Sequence, residues 1–153
     1  MTIINVKGGK KYQQKYTKSM IEFCVSKLMP RKKDLEINLH IKDLKGLALG
    51  YAWPEDICSY PKEFNIEIDS KQKLRDLLVT LAHEMVHVKQ FSRGELYEST
   101  KVSKHRWQGK WLKKDLEYWD RPWEIEAHGR ETGLFIRYIQ KHNLCAKSWT
   151  KSI

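Results

Sequence analysis

The segment from Leu81 to Phe91, LAHEMVHVKQF, constrains this chain more than any other stretch. It places His83 and His87 four residues apart, with Glu84 directly after the first. On a helix, residues i and i+4 lie one above the other, so each histidine can present one imidazole nitrogen to a single ion. The surrounding apolar residues recur at helical spacing and predict one buried stripe: Leu74, Leu77, Leu78, Leu81, Met85 and Val88. The histidines share a different face with Asp76, Thr80 and Gln90.

The pattern H-E-x-x-H predicts a zinc site with its own general base. Glu84 lies too far round the helix to bind the same ion as the histidines, but it is placed to hydrogen-bond a water held there. Zinc lowers the pKa of such a water to about 7, and a nearby carboxylate can take its proton as it attacks a carbonyl. The alternative is a pair of surface histidines that pair with carboxylates.

A catalytic zinc site requires a third protein ligand and one open position. Glu124, in the first turn of a predicted last helix, is the preferred candidate, with Glu126 and His105 as alternatives. His128 is a further candidate for the third ligand. An acidic first turn is favourable for a helix without any metal, so neither glutamate is diagnostic alone.

Periodicity predicts an α+β fold. A helix is expected over about 13–29, ending at Pro30, and a half-buried strand where DLEINLHIKDL alternates. Further strands are expected in GLALGYAWP and EFNIEID, giving a three-stranded, mostly antiparallel sheet. The histidine helix is predicted from Lys71, with Asp69 and Gln72 as a capping box. A last helix is predicted from Pro122 to about Gln140.

Residues 92–121 lack clear periodicity, although they are rich in aromatic residues. We expect the tryptophan-rich segment 107–123 to form a wall or lid of a cleft, or else a plain hydrophobic mini-core. Gly129 and Gly133, four apart on the last helix, predict a close approach to the histidine helix, with a kinked or weak helix as the alternative. Trp149 is an anchor-like residue in a polar tail.

Composition favours one cytoplasmic domain over residues 1–153 that carries no membrane span or signal peptide. The three cysteines are isolated and are expected to be reduced. The formal charge of +10 favours acidic partners, nucleic acid among them. Solvated lysines on an ordinary basic protein explain that charge equally well.

His83-Glu84-x-x-His87 with a downstream helix carrying Glu124 resembles the gluzincin metallopeptidases, especially their minimal members. The resemblance implies a small zincin-like domain, Zn²⁺ held by His83, His87 and Glu124, and hydrolysis of peptide or protein substrates. It also implies a sheet whose edge strand, here EFNIEID, holds an extended substrate. His128 departs from the pattern, because gluzincins often place an aspartate there to orient a zinc histidine.

HEMVH in a small basic chain is also similar to the SprT-like proteases, which act on proteins bound to DNA and use a downstream histidine as third ligand. HRWQGKW at His105 matches that stretch only loosely. For a peptidase, candidate oxyanion donors are Tyr118, His105, His128 and Arg130. The competing hypothesis is a nucleic-acid-binding module with a non-catalytic metal site, based on lysines and arginines interleaved with Trp107 and Trp111.

Overall fold

The computed structural model describes residues 1–152 and has three helices and two sheets, which confirms the α+β class. The helices are α1 (Lys11–Leu28), α2 (Leu74–Ser92) and α3 (Pro122–Lys141). The first four strands are β1 (Ile3–Gly8), β2 (Glu36–Lys42), β3 (Gly50–Pro54) and β4 (Glu63–Asp69). Three short strands follow α2: β5 (Leu96–Ser99), β6 (Lys104–Trp107) and β7 (Lys110–Trp111).

The larger sheet has four strands in the order β1-β2-β4-β3, so the prediction of a three-stranded, mostly antiparallel sheet is wrong. Strands β1, β2 and β4 are parallel, and only β3 runs antiparallel, against β4. Strand β1 was not predicted, because it is a half-exposed edge strand with a weak apolar pattern. Since α1 connects β1 to β2, it returns the chain to the same end of the sheet and makes that pair parallel.

The predicted edge strand EFNIEID is also misplaced. It forms β4, which lies between β2 and β3, and the edge beside α2 is β3. Alternation along β2 and β4 sends one row of side chains into the core: Ile37, Leu39, Ile41, Phe64, Ile66 and Ile68. The opposite face is polar, with Asn5, Asn38 and Asn65 in register across three strands.

Helix α2 crosses the apolar side of the sheet between α1 and α3, and its side chains from Ala82 to Ser92 are all buried. It begins at Leu74 with Lys73 as N-cap, so the predicted capping box is wrong. Gln72 instead donates to the carbonyls of Leu49 and Asp69 and accepts from the hydroxyl of Thr80. Gln72 therefore connects the start of α2 to the segment that leads into β3.

Residues 93–121 are more regular than predicted. Strands β5, β6 and β7 form an antiparallel sheet, and a 3₁₀ turn at Tyr118–Asp120 precedes α3. The strands have only four, four and two residues, too few for alternation to show in the sequence. Trp107 packs against Trp123 of α3 at 6.3 Å between ring centroids, which fixes this sheet against the start of that helix.

Helix α3 begins at Pro122 as predicted, but its glycines do not approach α2. Gly129 and Gly133 are exposed, and a Cβ at either position would have no neighbour within 4 Å. The buried side of α3 is formed by Trp123, Ala127 and Leu134 among others. In the tail, Trp149 packs on Tyr16 at 5.0 Å between ring centroids.

All three cysteines are free thiols, with Cys24 buried and Cys58 and Cys145 exposed. Within residues 1–152, none of the helices combines the length and the apolar character that crossing a bilayer requires.

Candidate metal centre

Helices α2 and α3 bring two imidazoles and one carboxylate together at a single point. His83 and His87 are each only 8% exposed, one turn apart on the face of α2 that packs against α3. Glu124 reaches them from the first turn of α3 and is 9% exposed. Pro122 at the start of α3 supplies the fixed φ that suits a first helical residue, which places Glu124 directly after the chain enters the helix.

The two imidazole nitrogens and the two carboxylate oxygens of Glu124 lie close to the spacing of ligands in a tetrahedral site. Nε2 of His83 lies 3.1 Å from Nε2 of His87 and 3.1 Å from Oε2 of Glu124. Nε2 of His87 lies 3.3 Å from Oε1 of Glu124. Ligands about 2.0–2.1 Å from a tetrahedral zinc ion would be about 3.3–3.4 Å apart. These separations are therefore close to those that a zinc ion would require.

Each histidine has a hydrogen-bond partner on its other ring nitrogen. Nδ1 of His83 donates to the carboxylate of Glu131 at 2.8 Å, and Nδ1 of His87 donates to Oε1 of Gln90 at 2.8 Å. Since Nδ1 already carries a proton, each Nε2 could give up its own proton and offer a lone pair to a metal beside Glu124. Partners of this kind fix the tautomer and the orientation of metal-binding histidines.

Glu126, an alternative third ligand, belongs to a separate buried network. Its carboxylate accepts from Nζ of Lys89 at 2.7 Å and from Nε2 of Gln90 at 2.9 Å. Nζ of Lys89 also pairs with Glu95 at 2.8 Å. Since Gln90 donates to the carbonyl of Trp123 as well, the network connects α2 to the first turn of α3 and holds the amide that orients His87.

His105, the other alternative, lies on β6. Its ring stacks on Trp123 at 4.7 Å, and its Nε2 pairs with Glu98 at 3.2 Å. Arg130 pairs with Glu126 at 3.0 Å. Neither side chain is directed to the His83–Glu124 cluster.

Tyr118 and His128 lie at the mouth of the site. The hydroxyl of Tyr118 donates to Oε2 of Glu124 at 2.8 Å and accepts from Nε2 of His128 at 2.9 Å. The ring of His128 packs against that of His83 at 4.5 Å. His128 can also offer a ligand atom within 4.8 Å of those of His83 and Glu124, which makes it an alternative to His87 as the second imidazole.

Glu84 is 6% exposed and lines the same cavity. Burial raises the pKa of its carboxyl group. A Cβ on Gly50 of β3 would lie only 3.1 Å from Oε1 of Glu84, 3.0 Å from Thr80 and 2.9 Å from Ile68. The absence of a side chain at position 50 therefore lets the edge strand approach Glu84 closely.

The charges around the two imidazoles favour a cation. Burial alone would lower the pKa of His83, but its hydrogen bonds to Glu124 and Glu131 outweigh burial and raise the pKa to about 9. The pKa of His87 is raised against burial in the same way, chiefly by Glu124. Conversely, burial would raise the pKa of Glu124, but the two histidines hold it well below its usual range. Without a metal, protons on the imidazoles balance the surrounding carboxylates.

The site opens into a cavity of about 560 Å³. One wall is β3 with Gly50, Tyr51 and Ala52, and part of the opposite wall is Tyr118 and Arg121. Segment 107–123 was expected to form a wall of the cleft. Its C-terminal residues Tyr118 and Arg121 do line the cavity, whereas Trp107 is half-buried against Trp123.

The patterns in the sequence did not indicate a role for Glu131, Gln90 or Gly50. Glu131 follows Glu124 by seven residues, which places both on one side of α3, and this spacing is the signal that could have found it. Gln90 shares the helical face of His83 and His87, but its contact with His87 is visible only in three dimensions. Gly50 has no sequence signal beyond its position in a strand.

Comparison with protein-family models, with curated proteins and with solved structures finds no match for this chain. A function for this chain must therefore be inferred from the geometry of the site.

Proposed function

We propose that this protein is a zinc-dependent metallopeptidase of zincin-like architecture, with His83, His87 and Glu124 as ligands and Glu84 as general base. The observation that carries the proposal is the convergence of two imidazole nitrogens, 3.1 Å apart, with the two oxygens of one carboxylate at 3.1 and 3.3 Å from them, beside the buried carboxyl group of Glu84. Two imidazoles and one carboxylate are a donor set that catalytic zinc sites use, with a fourth position left open. When bound, zinc supplies a Lewis acid that acidifies water and polarises a carbonyl oxygen.

Glu84 has the properties that a proton carrier at this site needs. It follows His83 directly on α2, faces the cavity and is buried. Its carboxylate takes a proton from the attacking water and then donates that proton to the nitrogen of the leaving amine. Positioned general acids and bases contribute roughly 10²–10⁴-fold to such reactions.

Tyr118 and His128 are the groups best placed to stabilise the developing oxyanion. Both line the cavity, and the Tyr118 hydroxyl lies next to Glu124. A hydrogen-bond donor at the position where negative charge develops is worth about 10²–10³-fold in rate. His105 and Arg130 lie elsewhere and are not part of this proposal.

Strand β3 provides the edge on which an extended peptide would bind. It is the outer strand of the larger sheet, and Gly50, Tyr51 and Ala52 line the cavity. The unpaired backbone groups of an edge strand can hydrogen-bond a segment of another chain, which gives affinity without sequence specificity. The substrate class is therefore an extended or unfolded protein segment.

The test combines zinc content with hydrolysis of fluorescently labelled casein. We expect about one zinc per chain in the parent protein and in Glu84→Gln, with hydrolysis lost by roughly 10²-fold or more in that variant. Glu124→Ala should lose both zinc and hydrolysis. Glu126→Gln tests the alternative ligand and should retain zinc, since its carboxylate contacts Lys89 and Gln90 and not the cluster. Glu22→Gln, at an exposed position on α1, is the neutral control.

Failure to take up zinc would rule out the proposal. Retention of zinc in His87→Ala together with its loss in His128→Ala would assign the set of His83, Glu124 and His128 instead. Zinc uptake without any Glu84-dependent hydrolysis would leave a metal-binding protein and remove the peptidase activity.

A further inference from the structure

The small sheet β5-β6-β7 has a cationic and aromatic outer face. Register pairs Tyr97 with Arg106 and Arg106 with Trp111, so these three side chains form one row across the strands. The Arg106 guanidinium lies 4.9 Å from the centre of the Tyr97 ring and 5.8 Å from that of Trp111. Leu96 and Trp107 point to the other face, where Trp107 packs against Trp123. The row is thus held on a buried support while its outer side faces solvent.

The positive charge on this segment is not neutralised. Residues 99–114 contain six lysines and arginines and no aspartate or glutamate: Lys101, Lys104, Arg106, Lys110, Lys113 and Lys114. Within residues 1–152, none of these six forms a salt bridge. By contrast, Lys89, Arg93 and Arg130 near the metal centre are all paired with carboxylates. In the described part of the chain, unpaired lysines also lie at residues 7–18, so the small sheet is distinguished by the aromatic row that accompanies its cations.

We propose that this face, defined by Tyr97, Lys104, Arg106 and Trp111, binds single-stranded nucleic acid. Trp111 is 50% exposed and can stack on a base, because every base has a π-face. Lys104 lies on the same face as Arg106, two residues earlier on β6. Lys110 pairs with Trp107 on the opposite face, but it is exposed on the edge strand β7 next to Trp111. These cations can contact the phosphates on either side of a stacked base.

Single strands suit the surface better than duplexes. The aromatic row is short and lies on a three-stranded sheet, with no helix to enter a major groove. The bases of a single strand are unpaired, so their faces are available to Trp111. The carboxylates of an acidic peptide could pair with the cations, but such a peptide has no bases to stack on Trp111.

The surface adjoins the cavity of the metal centre through β5. Tyr97 belongs to the outer row, whereas its neighbours Leu96 and Glu98 line the cavity. A bound strand would therefore lie beside the cavity without entering it. The binding itself does not depend on the proposed peptidase activity, and it can be measured with the metal removed.

The experiment measures fluorescence anisotropy of labelled oligothymidylate with the full chain in EDTA, at about 50 and 200 mM salt. We expect binding that weakens with salt, with a slope of about −0.7 per phosphate contact on a log–log plot. Trp111→Ala should weaken binding roughly five- to 150-fold, the range for one stacked base. Lys104→Gln with Lys110→Gln should reduce the slope by about 1.4.

Two controls separate this surface from general charge. Lys11→Gln with Lys18→Gln removes the same charge from exposed positions on α1 and should leave affinity nearly unchanged. Tyr12→Ala removes an exposed aromatic side chain from α1 and should also have little effect. Circular dichroism and thermal unfolding confirm that each variant is folded.

Three results would overturn the proposal. These are no binding at 50 mM salt up to about 100 µM protein, an equal loss from the two lysine pairs, or unchanged binding in Trp111→Ala. Poly-glutamate that competes as well as the oligonucleotide, with the same dependence on Trp111, would assign the face to an acidic protein partner.

Discussion

The carboxylate of Glu131 accepts a hydrogen bond from Nδ1 of His83 at 2.8 Å. This contact occupies the side of the imidazole away from the ligand cluster and directs Nε2 toward Glu124. Glu131 is therefore placed to orient His83. The gluzincin resemblance would give this role to an aspartate at position 128, where this chain has a histidine.

Glu131→Ala should weaken zinc affinity about 10- to 100-fold, the usual cost of removing a partner that orients a metal-binding histidine. Competition with a chromophoric chelator measures this directly. Glu131→Gln preserves an oxygen acceptor for Nδ1 and should lose less affinity. Equal affinity in Glu131→Ala and the parent protein would show that His83 needs no orienting partner.

Gln90→Leu should weaken zinc affinity by a similar factor and also destabilise the protein. Gln90 is fully buried, and its removal leaves His87, the carbonyl of Trp123 and Glu126 without one partner each. An unsatisfied buried polar group costs about 1–3 kcal/mol. Urea unfolding of the metal-free protein measures the loss, and Gln140→Leu on the exposed side of α3 serves as a matched control. Unaltered zinc affinity in Gln90→Leu would contradict the role assigned to the amide.

Gly50→Ala should reduce hydrolysis while zinc remains bound. The new methyl group would lie 3.1 Å from Oε1 of Glu84 and 2.9 Å from Cδ1 of Ile68, so both side chains must move. A displacement of about 1 Å at a catalytic group can cost about 10²-fold in rate. Zinc content and casein hydrolysis are measured on the same preparation. Full activity in Gly50→Ala would mean that Glu84 has room to adjust.

Gly129→Ala and Gly133→Ala should each stabilise the protein by about 0.5–1 kcal/mol. Both glycines lie inside α3 with open space where a Cβ would project, so the substitution removes the conformational cost of glycine without a clash. Urea unfolding measures the change, and zinc affinity should be unaffected. Destabilisation of either variant would indicate a packing role that the open space does not suggest.

Local patterns in the sequence predicted α1, α2, α3, β2 and β4 because each of these elements buries one regularly spaced row of side chains. They did not predict the sheet order, since β1 is short and half-exposed and its pairing with β2 depends on where α1 returns the chain. The prediction of a capping box for α2 was wrong because the helix begins at Leu74. The side chain of Gln72 donates to the carbonyl of Leu49, just before β3, and does not cap the helix.

The candidate site also contains residues that local patterns predict and residues that they do not. His83, Glu84 and His87 follow from spacing along a single helix. Glu124 could be ranked only against Glu126 and His105, because the choice depends on how α3 packs on α2. The contacts of Gln90 and Glu131 join residues whose proximity no local pattern encodes.

Residues 93–121 connect the end of α2 to the start of α3. Three ligand atoms and the carboxylate of Glu84 belong to those helices, whereas Arg121 and Glu98 of the opposite cavity wall belong to this connection. Changes in its length or composition can therefore alter what the cavity admits while the ligand positions stay fixed. If the proposed activity is confirmed, residues 93–121 are the part of the chain in which to vary the cavity lining, with Tyr118 kept.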